Sequence, residues 1–233
     1  MQAVRTFEGD SSLQFKKVTL RQDPPGTPSL ASCIYQMQHN SYPTVRKTWS
    51  VNAYTSEVKS AYYGSPASDP TENPVGSYSQ SQCLQAAQTF VTAKYADFAQ
   101  MSFQLSEQTW TGYAWQFLWR QKVAYDTWTP NSISIEVNPH TGQVKVYSST
   151  RIPTPTPTAP TLTAAQAVTS AKQATGIVTV TTLEGPMLEC DPAGNTAWSM
   201  MIIGTDAQSN TLQYVVVVNA VTGAIIESTA PMD

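Results

Sequence analysis

The chain has 233 residues, of which 41% are apolar and only 12% charged, and its formal net charge is −3. That length can bury one large core or a few small ones. The balance argues against global disorder and offers no basic footprint for nucleic acid, and no apolar run approaches the roughly 20 residues that a membrane helix needs. The segment after Met1, Gln-Ala-Val-Arg-Thr-Phe-Glu-Gly-Asp, lacks the apolar stretch of a signal peptide. Either the protein stays inside the cell or a leader precedes this numbering. Low charge with many Thr, Ser, Tyr and Pro residues favours the second, an exported protein.

Taken in chain order, alternation predicts strands at 13–22, 32–38, 46–52 and 57–63. No helix is predicted ahead of them, because about a dozen residues leave little room. A sheet without its helix exposes an apolar face. Three covers are open: the next repeat, a helix upstream of Met1, or a second chain. A connector follows, with Pro66, Pro70 and Pro74.

Ser79 and Gln82 have capping-box spacing, and Leu84, Ala87, Val91, Tyr95 and Phe98 then recur at three- and four-residue steps, so a helix begins here. Strands are predicted at 100–107 and 112–124. In the second of these, Tyr113, Trp115, Phe117 and Trp119 alternate with Ala114, Gln116, Leu118 and Arg120, which gives one aromatic face. The stretch 151–160 alternates Thr and Pro and reads as an extended, stiff connector, with a short glycosylated stalk as the alternative. Thr163 and Gln166 repeat the capping box, Ala164, Ala167, Val168, Ala171 and Ala174 form a stripe, and Gly176 suits the C′ position. Strands at 177–184 and 196–204 follow. Residues 198–203 and 214–218 are apolar on both faces and should be covered on both.

Each of these series ends alike: Trp-Ser-Val-Asn52-Ala-Tyr-Thr55-Ser-Glu-Val, Ile-Glu-Val-Asn138-Pro-His-Thr141-Gly142-Gln-Val and Val-Val-Val-Asn219-Ala-Val-Thr222-Gly223-Ala-Ile. Alternation, an Asn that can bond its own backbone, and Gly for positive φ mark a β-hairpin; Ser56 stands where the other copies have Gly. The fold class predicted is α+β: three tandem modules, each a four-stranded antiparallel meander with one helix packed on it, the helix absent in the first. The boundaries are 1–66, a linker at 67–78, 79–151, a Thr/Pro linker at 152–161, and 162–233.

The helix with its Ala-rich stripe, the strands and the Val-Asn-Pro-His-Thr-Gly and Val-Asn-Ala-Val-Thr-Gly endings resemble the PepSY family, including tandem variants in bacterial surface proteins. The resemblance implies a bacterial protein exported to the periplasm, envelope or medium, and a non-catalytic module of the kind found in propeptides and regulators of secreted peptidases. It supplies no catalytic residues.

The residues themselves point the same way. His39 and His140 are the only histidines, and His140 sits where the other turns have Tyr54 and Val221, a poor place for a general base. Cys33, Cys83 and Cys190 lack metal or redox spacing; one disulfide with one thiol, or three buried thiols, are both open. Asp191-Pro-Ala-Gly-Asn195 and Asp23-Pro-Pro-Gly26 are calcium-like in composition only. No catalytic, cofactor or metal residue is assigned. Asn52, Thr55, Asn138, Thr141, Gly142, Asn219, Thr222 and Gly223 are structural turn residues.

The aromatic residues of the second segment serve either a core or a ligand surface; Trp115, Trp119, Tyr214 and Val216 are the candidate interaction surface. Open sheet edges can take a strand from a peptide or an identical subunit, which with the missing helix suggests head-to-tail assembly. The reading is an exported, non-enzymatic binding or structural protein whose partners are proteins or identical subunits. Inhibition or regulation of a secreted peptidase is the alternative.

Overall fold

The structure, a computed structural model, describes residues 1–22, 33–41, 45–64, 76–95 and 97–229, with 21, 22, 33–41, 45 and 46 described by their backbone. The Asp23 turn, the side chains of Cys33 and His39, and most of the 67–78 linker lie outside the described residues. The chain forms two compact units, one of residues 1–120 and 131–152, the other of 121–130 and 153–233.

The first unit opens with a helix, α1 (Gln2–Glu8). This corrects the expectation that the first meander lacks one. Seven residues are too few to show a periodicity, but Gly9 takes the left-handed C-cap conformation that ends a short helix. Val4 is fully buried, and Glu8 accepts hydrogen bonds from Trp49 Nε1 (2.8 Å) and the Tyr63 hydroxyl (2.6 Å). The first meander thus has its cover within the chain. It comprises β1 (Phe15–Gln22), β2 (Cys33–Ser41), β3 (Val45–Asn52) and β4 (Val58–Gly64), all antiparallel.

Helix α2 (Gln80–Lys94) starts on the predicted capping box: Gln82 N donates to Ser79 Oγ (3.3 Å) and Ser79 N to Gln82 Oε1 (2.8 Å). Its buried face is Cys83, Ala87 and Val91. Then come β5 (Phe103–Trp110), β6 (Trp115–Val123), β7 (Thr127–Val137) and β8 (Val144–Thr150). Strand β8 pairs antiparallel with both β7 and β4, while β6 pairs with β7 and β5. The end of β6 and the start of β7 belong to the second unit. Trp49, Phe117, Ile133, Ile135, Val137 and Tyr147 fill the core beneath the helices.

The second unit is α3 (Ala164–Thr175) on the antiparallel meander β9 (Thr179–Cys190), β10 (Thr196–Thr205), β11 (Thr211–Asn219) and β12 (Ile225–Thr229). Thr163 and Gln166 form the second capping box, and Gly176 is the left-handed C-cap, as predicted. The buried stripe is Ala167, Ala171 and Thr175, so Ala174 is not part of it. Four-residue steps carry the stripe to Thr175, whose hydroxyl is satisfied by donating to the Ala171 carbonyl at 2.9 Å. The Thr/Pro stretch lies along this unit: Thr158 N donates to Gly194 O (2.8 Å), Thr196 Oγ1 to Thr158 O (3.0 Å), and Pro155 and Pro157 are buried.

The three repeated hairpins share one construction. The oxygen of Asn52, Asn138 or Asn219 accepts the amide two residues on, of Tyr54 (2.9 Å), His140 (2.8 Å) or Val221 (2.9 Å). The hydroxyl of Thr55, Thr141 or Thr222 then accepts the amide of Glu57, Gln143 or Ala224. Between them a residue with positive φ closes the turn: Ser56, Gly142 or Gly223. A bulge at Lys59, Lys145 or Ile226 follows each time, at the same distance from the Asn.

Candidate interaction site

The four residues expected at an interaction surface divide. Trp119 and Val216 are core residues, 3% and 0% exposed, and are withdrawn from a surface role. Trp119 stacks edge-on to Phe98 at 6.2 Å, and Val216 packs beneath α3. Trp115 and Tyr214 are half-buried against their cores, Trp115 also meeting Trp110 edge-on at 5.6 Å. Alternation identified the aromatic series of 113–119, of which Phe117 and Trp119 are buried in the first unit's core.

His140 is half-buried in its turn, and no group of three or more metal-ligating side chains occurs among the described residues. Asp191 spends its carboxylate on its own loop, accepting from Ala193 N, Asn195 N and Asn195 Nδ2 at 2.7–2.9 Å. Burial raises its pKa, but these bonds outweigh it and hold the group below the usual aspartate range. Asp206 repeats the arrangement with Gln208 and Asn210, whose bonds depress its pKa. Cys83 and Cys190 are free and buried, with burial raising both thiols.

The Glu136 carboxyl has a raised pKa. Burial raises it, opposed by a hydrogen bond with Tyr113 and the nearby Lys145, whose ammonium lies 4.9 Å from the Tyr113 ring centre. These groups anchor the bulge of the second hairpin.

What is open lies in the sheets. In the first unit the face away from the helices carries a row of hydroxyls, Ser50, Ser60, Ser148 and Ser134, in register across β3, β4, β8 and β7. Gln116 Nε2 extends it by donating to Ser134 Oγ at 3.1 Å. In the second unit the corresponding face is apolar. Register places Met187, Ser199 and Val217 in one row and Glu184, Met201 and Val215 in the next, with Ile203 beside them. Met187 and Val215 are 43% and 41% exposed. The expectation that 198–203 and 214–218 are covered on both faces holds on the α3 side among the described residues of the second unit, while Val215 on the other side is exposed. Glu184, Glu189 and Glu227 edge this surface. Strand β12, paired only with β11 among the described strands, carries exposed Ile226 at its bulge and exposed Ile225 opposite Val218, on the α3 side.

A helix packed on an antiparallel meander, with one sheet face and one sheet edge left open, is a fold of the α+β class. A profile of the peptidase propeptide and YPEB domain, PepSY, matches residues 161–229. The fold is similar to that of the Bacillus megaterium YpeB C-terminal domain, with a TM-score of 0.53 and 12% identity, over 100% of this chain and 96% of that one. No curated protein matches the sequence. No helix among the described residues is long and apolar enough to cross a membrane.

Proposed function

We propose that the chain is an exported, non-enzymatic protein-binding or structural protein of three PepSY-like modules, 1–66, 79–151 and 162–233, that self-associates at the cell surface. The carrying observation is the second unit's apolar sheet face away from α3, where Met187 and Val215 are exposed and Met201, Ile203 and Val217 half-buried, together with exposed Ile226 on the edge strand. Contiguous apolar surface of this kind is costly in water and marks protein interaction sites. The PepSY match supports a non-catalytic module and an exported protein. Sedimentation velocity across micromolar concentrations, with negative-stain imaging, tests it: the expectation is species heavier than the 25.4 kDa chain. A single monomeric species with no assemblies overturns it.

The family's connection with peptidase propeptides favours a second reading, regulation of a secreted peptidase. Co-purification with native secreted peptidases followed by an activity assay checks it. Absence of both complex and inhibition removes it.

A further inference from the structure

Each meander ends in the same hairpin, so its last strand can be compared position by position, counting from the turn Asn. Val58, Val144 and Ile225 lie six residues on; Ala61, Tyr147 and Ser228 lie nine residues on. In the first unit two of these last strands meet. Strand β4 pairs antiparallel with β8 in the register Ser60↔Ser148, Ala61↔Tyr147 and Tyr62↔Val146. In offsets from the Asn that is eight to ten, nine to nine and ten to eight. The junction is therefore symmetric about its central pair, a local twofold axis between two copies of one hairpin.

Strand β12 is the third copy of this strand, and its outer edge has no partner strand among the described residues. The positions that are buried beside the β4–β8 junction are open on it. Val58 and Ala61 are 4% and 1% exposed and Tyr147 0%, whereas Ile225 is 36% exposed and Ser228 is exposed. The bulge residue, Lys in the other two hairpins, is here Ile226, 60% exposed. An apolar side chain on an open edge is the reverse of the charged residues that keep such edges apart. Beside the β4–β8 junction Phe7 of α1 meets Phe90 of α2 edge-on at 6.1 Å. Phe90 stands eleven residues after its N-cap Ser79; the same offset from Thr163 gives Ala174, which is exposed and small.

We infer that β12 pairs antiparallel with β12 of a second copy, in the register of the β4–β8 junction, closing a twofold dimer. Ser228 then faces Ser228 of the other copy, and Glu227 faces Thr229, so no like charges stand directly opposite. Two such edges satisfy each other's free backbone groups, and the contact is isologous and closed. This inference rests on the self-association proposed above and supplies its geometry.

Cysteine substitution tests the register. Residues opposite one another in an antiparallel pair lie about 4.5–5.5 Å apart between Cα atoms, inside the roughly 4.4–6.8 Å a disulfide tolerates. Ser228→Cys alone should give a covalent dimer on mild oxidation, in excess of the chain with only its native cysteines. Glu227→Cys and Thr229→Cys should each fail alone, a diagonal being about 7–8 Å, and cross-link when mixed. Ser228→Lys, at an exposed position, should leave the melting temperature unchanged and return the mass to that of one chain. A self-associating chain whose mass Ser228→Lys leaves unchanged and which Ser228→Cys does not cross-link overturns the β12 axis while leaving self-association intact. A monomer at every concentration defeats both.

Discussion

Within the repeated turn, the Asn fixes the chain direction and the Thr closes the loop, but the residue with positive φ differs among copies. Gly142 and Gly223 adopt it freely; Ser56, at φ 59°, does not. A left-handed L residue costs about 1–2 kcal/mol, partly offset by the extra unfolded-state entropy of Gly, roughly 0.5–1 kcal/mol. Ser56→Gly is expected to stabilise the protein by about 0.5–1 kcal/mol and Gly223→Ala to destabilise it by about 1 kcal/mol, read as opposite shifts of the denaturation midpoint. Asp191 and Asp206 set a pH dependence. Their folded pKa values lie below those of the unfolded chain, so their contribution is complete above about pH 4 and is lost as pH falls through the folded values. Urea unfolding should show stability declining below about pH 4, and less steeply in the double variant Asp191→Asn, Asp206→Asn.

Elements were legible in the sequence where a local signal was strong. Both capping boxes and the Gly176 cap could be read because side chain and backbone satisfy each other within four residues. Helix α1 could not, since its stability comes from Val4 in the core and Glu8 receiving Trp49 and Tyr63, contacts more than 40 residues away in sequence. The aromatic face of β6 was visible in its alternation, but no local pattern says whether a helix or a ligand covers it. Strand β9 runs to Cys190 rather than 184 because its pairing with β10 resumes after a register shift, which periodicity does not reveal. The Thr/Pro stretch shows another tertiary constraint: a Cβ on Gly194, at φ +88°, would lie 2.2 Å from the Thr156 carbonyl oxygen. Gly194→Ala therefore meets both backbone strain and a backbone clash, and should lower stability by about 2 kcal/mol or more. A calorimetric scan checks this, with loss of exchange protection at the Thr158 amide, which donates to Gly194 O.

The open sheet face was the least legible feature of the molecule, because an open face is a property of what the rest of the chain leaves bare. Charge, by contrast, can be read directly once the two units are delimited. The first unit holds eleven Lys and Arg against nine Asp and Glu, a net +2; the second holds two against seven, a net −5. This difference separates two modes of assembly. A twofold contact through β12 brings together two units of −5, whose mutual repulsion weakens the dimer at low salt. A head-to-tail contact of β12 on β1, whose strand carries Lys16, Lys17 and Arg21 and no acidic residue, joins opposite charges and weakens as salt rises. Raising ionic strength from about 0.01 M to about 1 M shortens the screening length from about 30 Å to about 3 Å. For the β12 dimer, sedimentation equilibrium over that range should show association strengthening several-fold with salt. A fall in association over the same range assigns the contact to β1 of the neighbouring copy instead.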